Sequence, residues 1–303
     1  MRDQADRLRQ IIDNIKIKQS TNQAKLISTV QKRNAKVISV TSGKGGVGKT
    51  NVTINLAIML SDLGYRVVIL DADFGLANID ILFGIVPKYT LLDVISNKKN
   101  ILQVLCDGPK NVKFVSGGSG VEELVKLNKN QLEQFVNNIS LLDKICDIIL
   151  IDTGAGLSDK VISFVMASDE VILVTTPEPT SITDAYALTK MISNRDNNKI
   201  IKVIVNRAEN VREANDILNK LSIVTNKFLS FKIYQLGYIL QDDAVIKSVK
   251  SQQPFSLSYP KSNATRLIKE IAKKLVDVEE PVNQIENLGV KGFVSKLTSL
   301  LYR

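Results

Sequence analysis

The sequence predicts a doubly wound α/β domain built on a mainly parallel central sheet of about seven to eight strands. Three observations point there. Short Val/Ile/Leu-rich runs alternate with helical patterns along most of the chain, as strands covered on both faces do. A glycine-rich turn, Gly43–Thr50, fits G-x-x-x-x-G-K-[ST] and stands between the first such run and the first long helix. Two further runs close on carboxylates, Asp71 and Asp152, and the carboxyl edge of a doubly wound sheet is where ligands gather.

The elements follow in order. Residues 3–18 carry Ala5, Leu8, Ile11, Ile12 and Ile15 at helical spacing with charges between them, an amphipathic helix. Its division of the chain reads 1–20 as that helix and 21–35 as a polar, basic linker. The core domain then spans 36–280. Its predicted strands are 37–41, 67–71, 112–115, 148–152, 171–175, 200–206 and 233–239; its helices lie near 51–63, 121–144, 159–167, 180–194, 208–226, 243–250 and 262–278. Pro281 and Gly289 break the chain, and 289–303 stands as an element of its own. There Val290, Phe293, Val294, Leu297, Leu300 and Leu301 form one stripe, with Lys291, Lys296 and Arg303 off it. A short basic amphipathic helix after a break reads as an in-plane membrane anchor, the alternative being a cap on the core.

Composition narrows the chemistry. The 303 residues carry a net charge of +9 and no histidine, so any general base is a carboxylate or a bound water. Nine Lys/Arg against Asp3, Asp6 and Asp13 concentrate that charge in residues 1–36 and leave the body nearly neutral. A nearly neutral body disfavours DNA as its partner, although the basic N-terminal segment keeps that reading open. No run of about 18 apolar residues is long enough to span a membrane, and the charged start from Arg2 is not that of a secretory signal. Cys106 and Cys146 stand alone among apolar residues and read as buried free thiols of a cytosolic protein.

The glycine-rich turn is expected to cradle a polyphosphate with backbone N–H groups at a helix N-terminus. Gly43, Lys44, Gly45, Gly46, Val47, Gly48, Lys49, Thr50 and Asn51 are its candidate nucleotide contacts. Lys49 reaches the β- and γ-phosphates and the Thr50 hydroxyl ligates Mg²⁺. Asp152 is the acid on the metal side. Asp71 lies in the ion's outer shell, and Asp73, two residues on and on the same side of the extended chain, orients the attacking water.

The loop carries an extra lysine beside its first glycine, Lys44-Gly-Gly-Val-Gly-Lys-Thr50. That pattern resembles the deviant phosphate loop of the MinD/ParA family of dimerising ATPases. Three further stretches are similar to it: Asp71-Ala-Asp73-Phe-Gly75-Leu-Ala-Asn78, Asp152-Thr-Gly154-Ala-Gly156, and Asn206 after a strand. The resemblance implies ATP or ADP with Mg²⁺ as ligands and an ATP-dependent homodimer in which Lys44 reaches the partner's nucleotide. It implies too that Asn206, Pro177 and Glu178 border the adenine. Within the family, Asp3-Gln4-Ala5-Asp6-Arg7-Leu8-Arg9 and Thr176–Tyr186 look like the flagellar-number regulators of the FlhG (YlxH or FleN) subgroup. That likeness implies a partner, the SRP-type GTPase FlhF, met through Asp3, Gln4, Ala5, Leu8 and Arg9, with Gln4 completing the GTP site. Flagellar basal-body components are further implied partners, and a cytoplasmic enzyme reversibly held at the inner face of the membrane is the implied setting. The rival readings are a MinD-like division-site ATPase, a ParA-like DNA-partition ATPase and a non-catalytic ATP-dependent scaffold. An iron–sulfur carrier is rejected for want of paired cysteines near the switches.

Overall fold

The computed structural model describes residues 34–73, 78–117, 127–277 and 289–301. All described residues belong to one compact unit that begins at Asn34. The expected N-terminal helix with Asp3, Gln4, Ala5, Leu8 and Arg9, the linker up to Arg33, and residues 74–77 lie outside the described residues.

Strand β1 (Lys36–Ser42) runs through the middle of an eight-stranded sheet and is buried along nearly its whole length. The others are β2 (Val67–Ala72), β3 (Cys106–Asp107), β4 (Lys113–Val115), β5 (Ile148–Ala155), β6 (Glu170–Thr175), β7 (Ile200–Ala208) and β8 (Tyr234–Leu240). Their order is β3-β4-β2-β5-β1-β6-β7-β8, and every pairing is parallel except β3 with β4. The chain leaves β1 for β2 on one side and later places β6 on the other, so the carboxyl end of β1 is a topological switch point.

Alternation decides what each face meets. In β5, Ile148 and Leu150 join one core cluster, while Ile149 and Ile151 join another on the opposite face. The first face is covered by α1 (Lys49–Asp62), α2 (Ile79–Phe83) and the helix over 263–277; the second by the helices over 129–139, 159–167 and 289–301. In chain order the helices after α2 are α3 (Leu91–Ile95), α4 (Ile101–Val104), α5 (Lys129–Ile139), α6 (Asp159–Ala167), α7 (Pro179–Arg195), α8 (Val211–Leu229), α9 (Asp243–Lys250), α10 (Phe255–Ser258), α11 (Asn263–Asp277) and α12 (Gly289–Leu301). Helices α7 and α8 extend the second face over β6 and β7.

Besides shifts of one to three residues at the ends of several elements, as in β5 and α8, the sequence expectations differ from this in the following places. The two-residue antiparallel β3 is absent from them, and so are α2, α3, α4 and α10. The helix expected over 121–144 begins at Lys129 among the described residues, because Asn128 accepts the Gln131 N–H as its N-cap, and it tightens to a 3₁₀ turn over Ser140–Lys144. The strand expected from residue 233 starts one residue later. The C-terminal stripe takes the alternative reading, a cap on the core. Val290, Phe293, Val294 and Leu297 are buried among α5, α6 and β1 rather than presented to a lipid surface, with the Phe293 ring 6.2 Å from that of Phe164. Leu300 and Leu301 are half-buried. The physical reason is that the second face of the sheet, between α5 and α6, offers apolar cover that the stripe fits. Asp143 fixes the start of the helix: one of its carboxylate oxygens accepts from Val290 N at 3.1 Å and from Ala35 N at 3.0 Å.

Candidate nucleotide-binding site

The loop between β1 and α1 is shaped by two kinds of glycine requirement. Gly48 caps α1 in the left-handed conformation (φ 90°), and a Cβ there would stand 2.5 Å from Asn206 Nδ2. At Gly43 a Cβ would lie 2.5 Å from the backbone of Asp184 in α7. The chain therefore passes closer to its neighbours than any side chain permits, leaving the N–H groups at the head of α1 to face the cavity.

That cavity, about 430 Å³, is bordered by Gly45, Gly46, Lys49, Thr50, Asp73 and Asn78 among others. Behind Lys49 and Thr50, Asp152 is wholly buried and gathers three donors. Lys49 Nζ lies 2.8 Å from Oδ1, Thr53 Oγ1 3.2 Å from the same oxygen, and Thr50 Oγ1 2.7 Å from Oδ2. Parallel pairing sets Asp71 directly opposite Asp152. Burial, and then the charge of Asp152, pushes the Asp71 carboxyl up to about 7, against hydrogen bonds from the N–H groups of Asp73, Ile79 and Asn78. A cation at this edge reverses that balance and favours both carboxylates ionised. Among the described residues no group of three or more Asp, Glu, Cys or His side chains forms a metal cage. One hydroxyl and one or two carboxylates beside a phosphate cradle are the donor set of a Mg²⁺ held chiefly by phosphate and water.

Lys44 points elsewhere. Its Nζ donates to Glu178 Oε2 at 2.8 Å and Thr180 Oγ1 at 3.0 Å, so the extra lysine rests on the head of α7 of its own chain. The Lys44 ammonium, by hydrogen bond and charge, holds Glu178 below the usual carboxylate range. Asn206 donates from Nδ2 to Val47 O at 2.7 Å and thereby ties the end of β7 to the loop. It also borders, with Gly48 and Asn51, a second cavity of about 410 Å³ beneath α9. Pro177 and Glu178 border a third, of about 400 Å³.

The structure thus brings together Gly45, Gly46, Gly48, Lys49, Thr50, Asn51, Asp71, Asp73 and Asp152, leaves the Lys44 side chain on the head of α7 with Gly43 packed against Asp184 and Val47 bonded to Asn206, and sets Asn206, Pro177 and Glu178 around the adjoining space. Sequence reasoning missed Thr53 and Arg207. Thr53 was findable as the next turn of α1 after Lys49. No periodic signal marks Arg207. The cysteines are apart from the cleft: Cys146 is buried, its thiol pushed up to about 12 by burial, and Cys106 is on the edge strand β3.

A family profile described as ParA, NUBPL iron-transfer P-loop NTPase, matches residues 33–276. The antiactivator FleN of Pseudomonas aeruginosa is 44% identical over 248 residues, covering 82% of this chain and 88% of its own. The flagellum site-determining protein YlxH of Helicobacter pylori is 34% identical over 274 residues, 89% of this chain and 92% of its own. The solved structure of the septum site-determining protein MinD from Pyrococcus horikoshii, complexed with Mg-ADP, superposes with a TM-score of 0.64 at 25% identity, covering 80% of this chain and 96% of that one.

Proposed function

The chain belongs to the ParA/MinD family of P-loop NTPases, and on that premise we propose that it is an ATP-driven, dimerising switch that sets flagellar number and placement. The observation that carries the chemistry is the buried junction at Asp152, where Lys49 and Thr50 meet one carboxylate across the cavity bordered by Asp73. The flagellar assignment is supported by the likeness to FleN and YlxH over more than four-fifths of the chain.

Bound Mg²⁺ and polyphosphate supply the electrophilic phosphorus and the neutralisation of its charge. With them bound, Lys49 would exchange Asp152 for phosphate oxygens, and Thr50 would hold the ion, with Asp152 on the metal side and Asp71 in its outer shell. Asp73 holds the attacking water in line. Lys44 leaves Glu178 and reaches the second nucleotide of the dimer. Hydrolysis lets the pair part, so occupancy of the loop times the association. The output runs through the N-terminal helix, with Asp3, Gln4, Ala5, Leu8 and Arg9 docking on the GTPase FlhF, and through α12 at the cell membrane. Flagellar basal-body components are the further partners.

The test is Asp73→Ala with saturating ATP and Mg²⁺. The variant binds ATP with wild-type affinity but sediments as a persistent dimer, because the water is no longer positioned while the cradle is intact. A monomer under those conditions sinks the reading of Asp73 as the timing residue.

A further inference from the structure

Successive residues of a strand point to opposite faces, yet Asn206 and Arg207 border the same cavity. The pairing of β7 with β8 explains how. Asn206 stands opposite Ile239 and Ala208 opposite Leu240, so Arg207 is an extra residue in β7, a bulge. Its backbone is left-handed, φ 60°, uncommon for a residue with a side chain. Val205 and Ala208 both face the α7 and α8 layer, which leaves Asn206 and Arg207 together on the nucleotide side. Arg207 borders all three cavities of the cleft: the one under α9, the one beside Glu178, and the one holding Gly45, Gly46 and Lys49.

Strain of this kind persists where surrounding structure holds a side chain to a task. Both loop lysines are already paired, Lys49 with Asp152 and Lys44 with Glu178. Arg207 is exposed, and among the described residues no hydrogen bond ties down its guanidinium. Its charge reaches Glu178 on the far wall, after the larger effect of Lys44. Thr176, on the same wall, has a buried hydroxyl without a hydrogen-bond partner among the described residues. A planar fork of donors at the junction of a phosphate cradle and two wider cavities matches a phosphate oxygen pair.

We propose that Arg207 is a phosphate-binding residue of this site, carried into it by the bulge at the end of β7, on the β7 side of the loop as Asp152 is on the β5 side. This rests on the reading of the cleft as a nucleotide site. The experiment is binding of a fluorescent N-methylanthraniloyl ADP with Mg²⁺ to the full chain, for wild type, R207G, R207Q and R207K. Glycine suits the left-handed backbone, so R207G keeps a thermal midpoint at or above wild type while its dissociation constant rises about tenfold. R207Q loses as much, R207K recovers part, and added salt weakens wild type more than R207G. Adenosine, lacking phosphate, competes equally well with wild type and R207G. Binding by R207G within about twofold of wild type overturns the proposal, and so does an equal loss for adenosine, which would place the guanidinium on the base. Failure of the wild type itself to bind removes the nucleotide reading and this inference with it, and is distinguishable from the first two outcomes.

Discussion

At the scale of single residues, the described domain buries several charges, and each is answered differently. Asp152 has three donors around it. Glu170, at the opposite end of the sheet, is paired with Lys36 and with Lys202, the latter at 2.9 Å. Lys199 is answered only in part. Its ammonium donates to the carbonyls of Met166, at 3.1 Å, and Ser168, and burial pushes its pKa down to about 8, with Asp196 opposing the shift. The unfolded chain keeps that proton to about 10.4. The native state therefore binds fewer protons than the unfolded state between about 8 and 10.4, and stability rises with pH across that window. Relative to Lys199→Met, wild type gains roughly 2–3 kcal/mol over the interval, read from urea unfolding of both proteins at each pH. A constant difference would show that Lys199 keeps its proton in the fold. None of these pairings was legible in the sequence, because the partners are far apart in it. What was legible was Asp71 and Asp152, each closing an apolar run, since a strand's end fixes where its last side chain sits.

Elements were legible in proportion to their length. The long helices repeat their apolar residues often enough to declare a period; α2, α3, α4 and α10, at four or five residues, do not. Two of those four carried another local signal. Thr90 and Asp93, and Asn100 and Gln103, form reciprocal capping boxes, with Thr90 N donating to Asp93 Oδ2 at 2.9 Å and Asn100 N to Gln103 Oε1 at 3.0 Å. The amphipathic stretch at the N-terminus is an element that the sequence alone defines, and its proposed task is carried by one short face. A synthetic peptide of residues 1–20 is expected to accelerate GTP hydrolysis by FlhF, and Gln4→Ala to remove most of that acceleration, since an amide that orients the water cannot be replaced by a methyl group. Equal acceleration by both peptides would move the activity away from Gln4, and none from either would count against the flagellar assignment.

For the whole molecule, the C-terminal stripe has two candidate surfaces and can occupy one at a time. Burying Val290, Phe293, Val294 and Leu297 against the domain is worth on the order of 6–12 kcal/mol before ordering costs, and inserting the same side chains into lipid is worth a similar amount. The sequence could show the stripe but not which surface holds it, because that depends on apolar cover assembled from α5, α6 and β1. The seat is imperfect: an apolar cavity of about 20 Å³ remains between Phe293, Val290 and the sheet. No described helix is long and apolar enough to cross a membrane; the lipid contact proposed here is peripheral. While α12 is docked, apparent membrane affinity falls by the fraction of molecules in which it is free. A dimer with two free helices binds far better than one copy, as the second insertion is intramolecular. With phosphatidylglycerol vesicles, the protein is accordingly expected to sediment with ATP and Mg²⁺ and to stay in the supernatant with ADP or no nucleotide. Leu300→Asp, at the half-buried end of the stripe, reduces sedimentation severalfold and leaves nucleotide affinity unchanged. Deleting 290–303 is the poorer experiment, because it uncovers Phe164 and Leu142 and confuses lost lipid binding with a damaged core. Sedimentation that ignores the nucleotide would mean that docking of α12 and occupancy of the loop are independent.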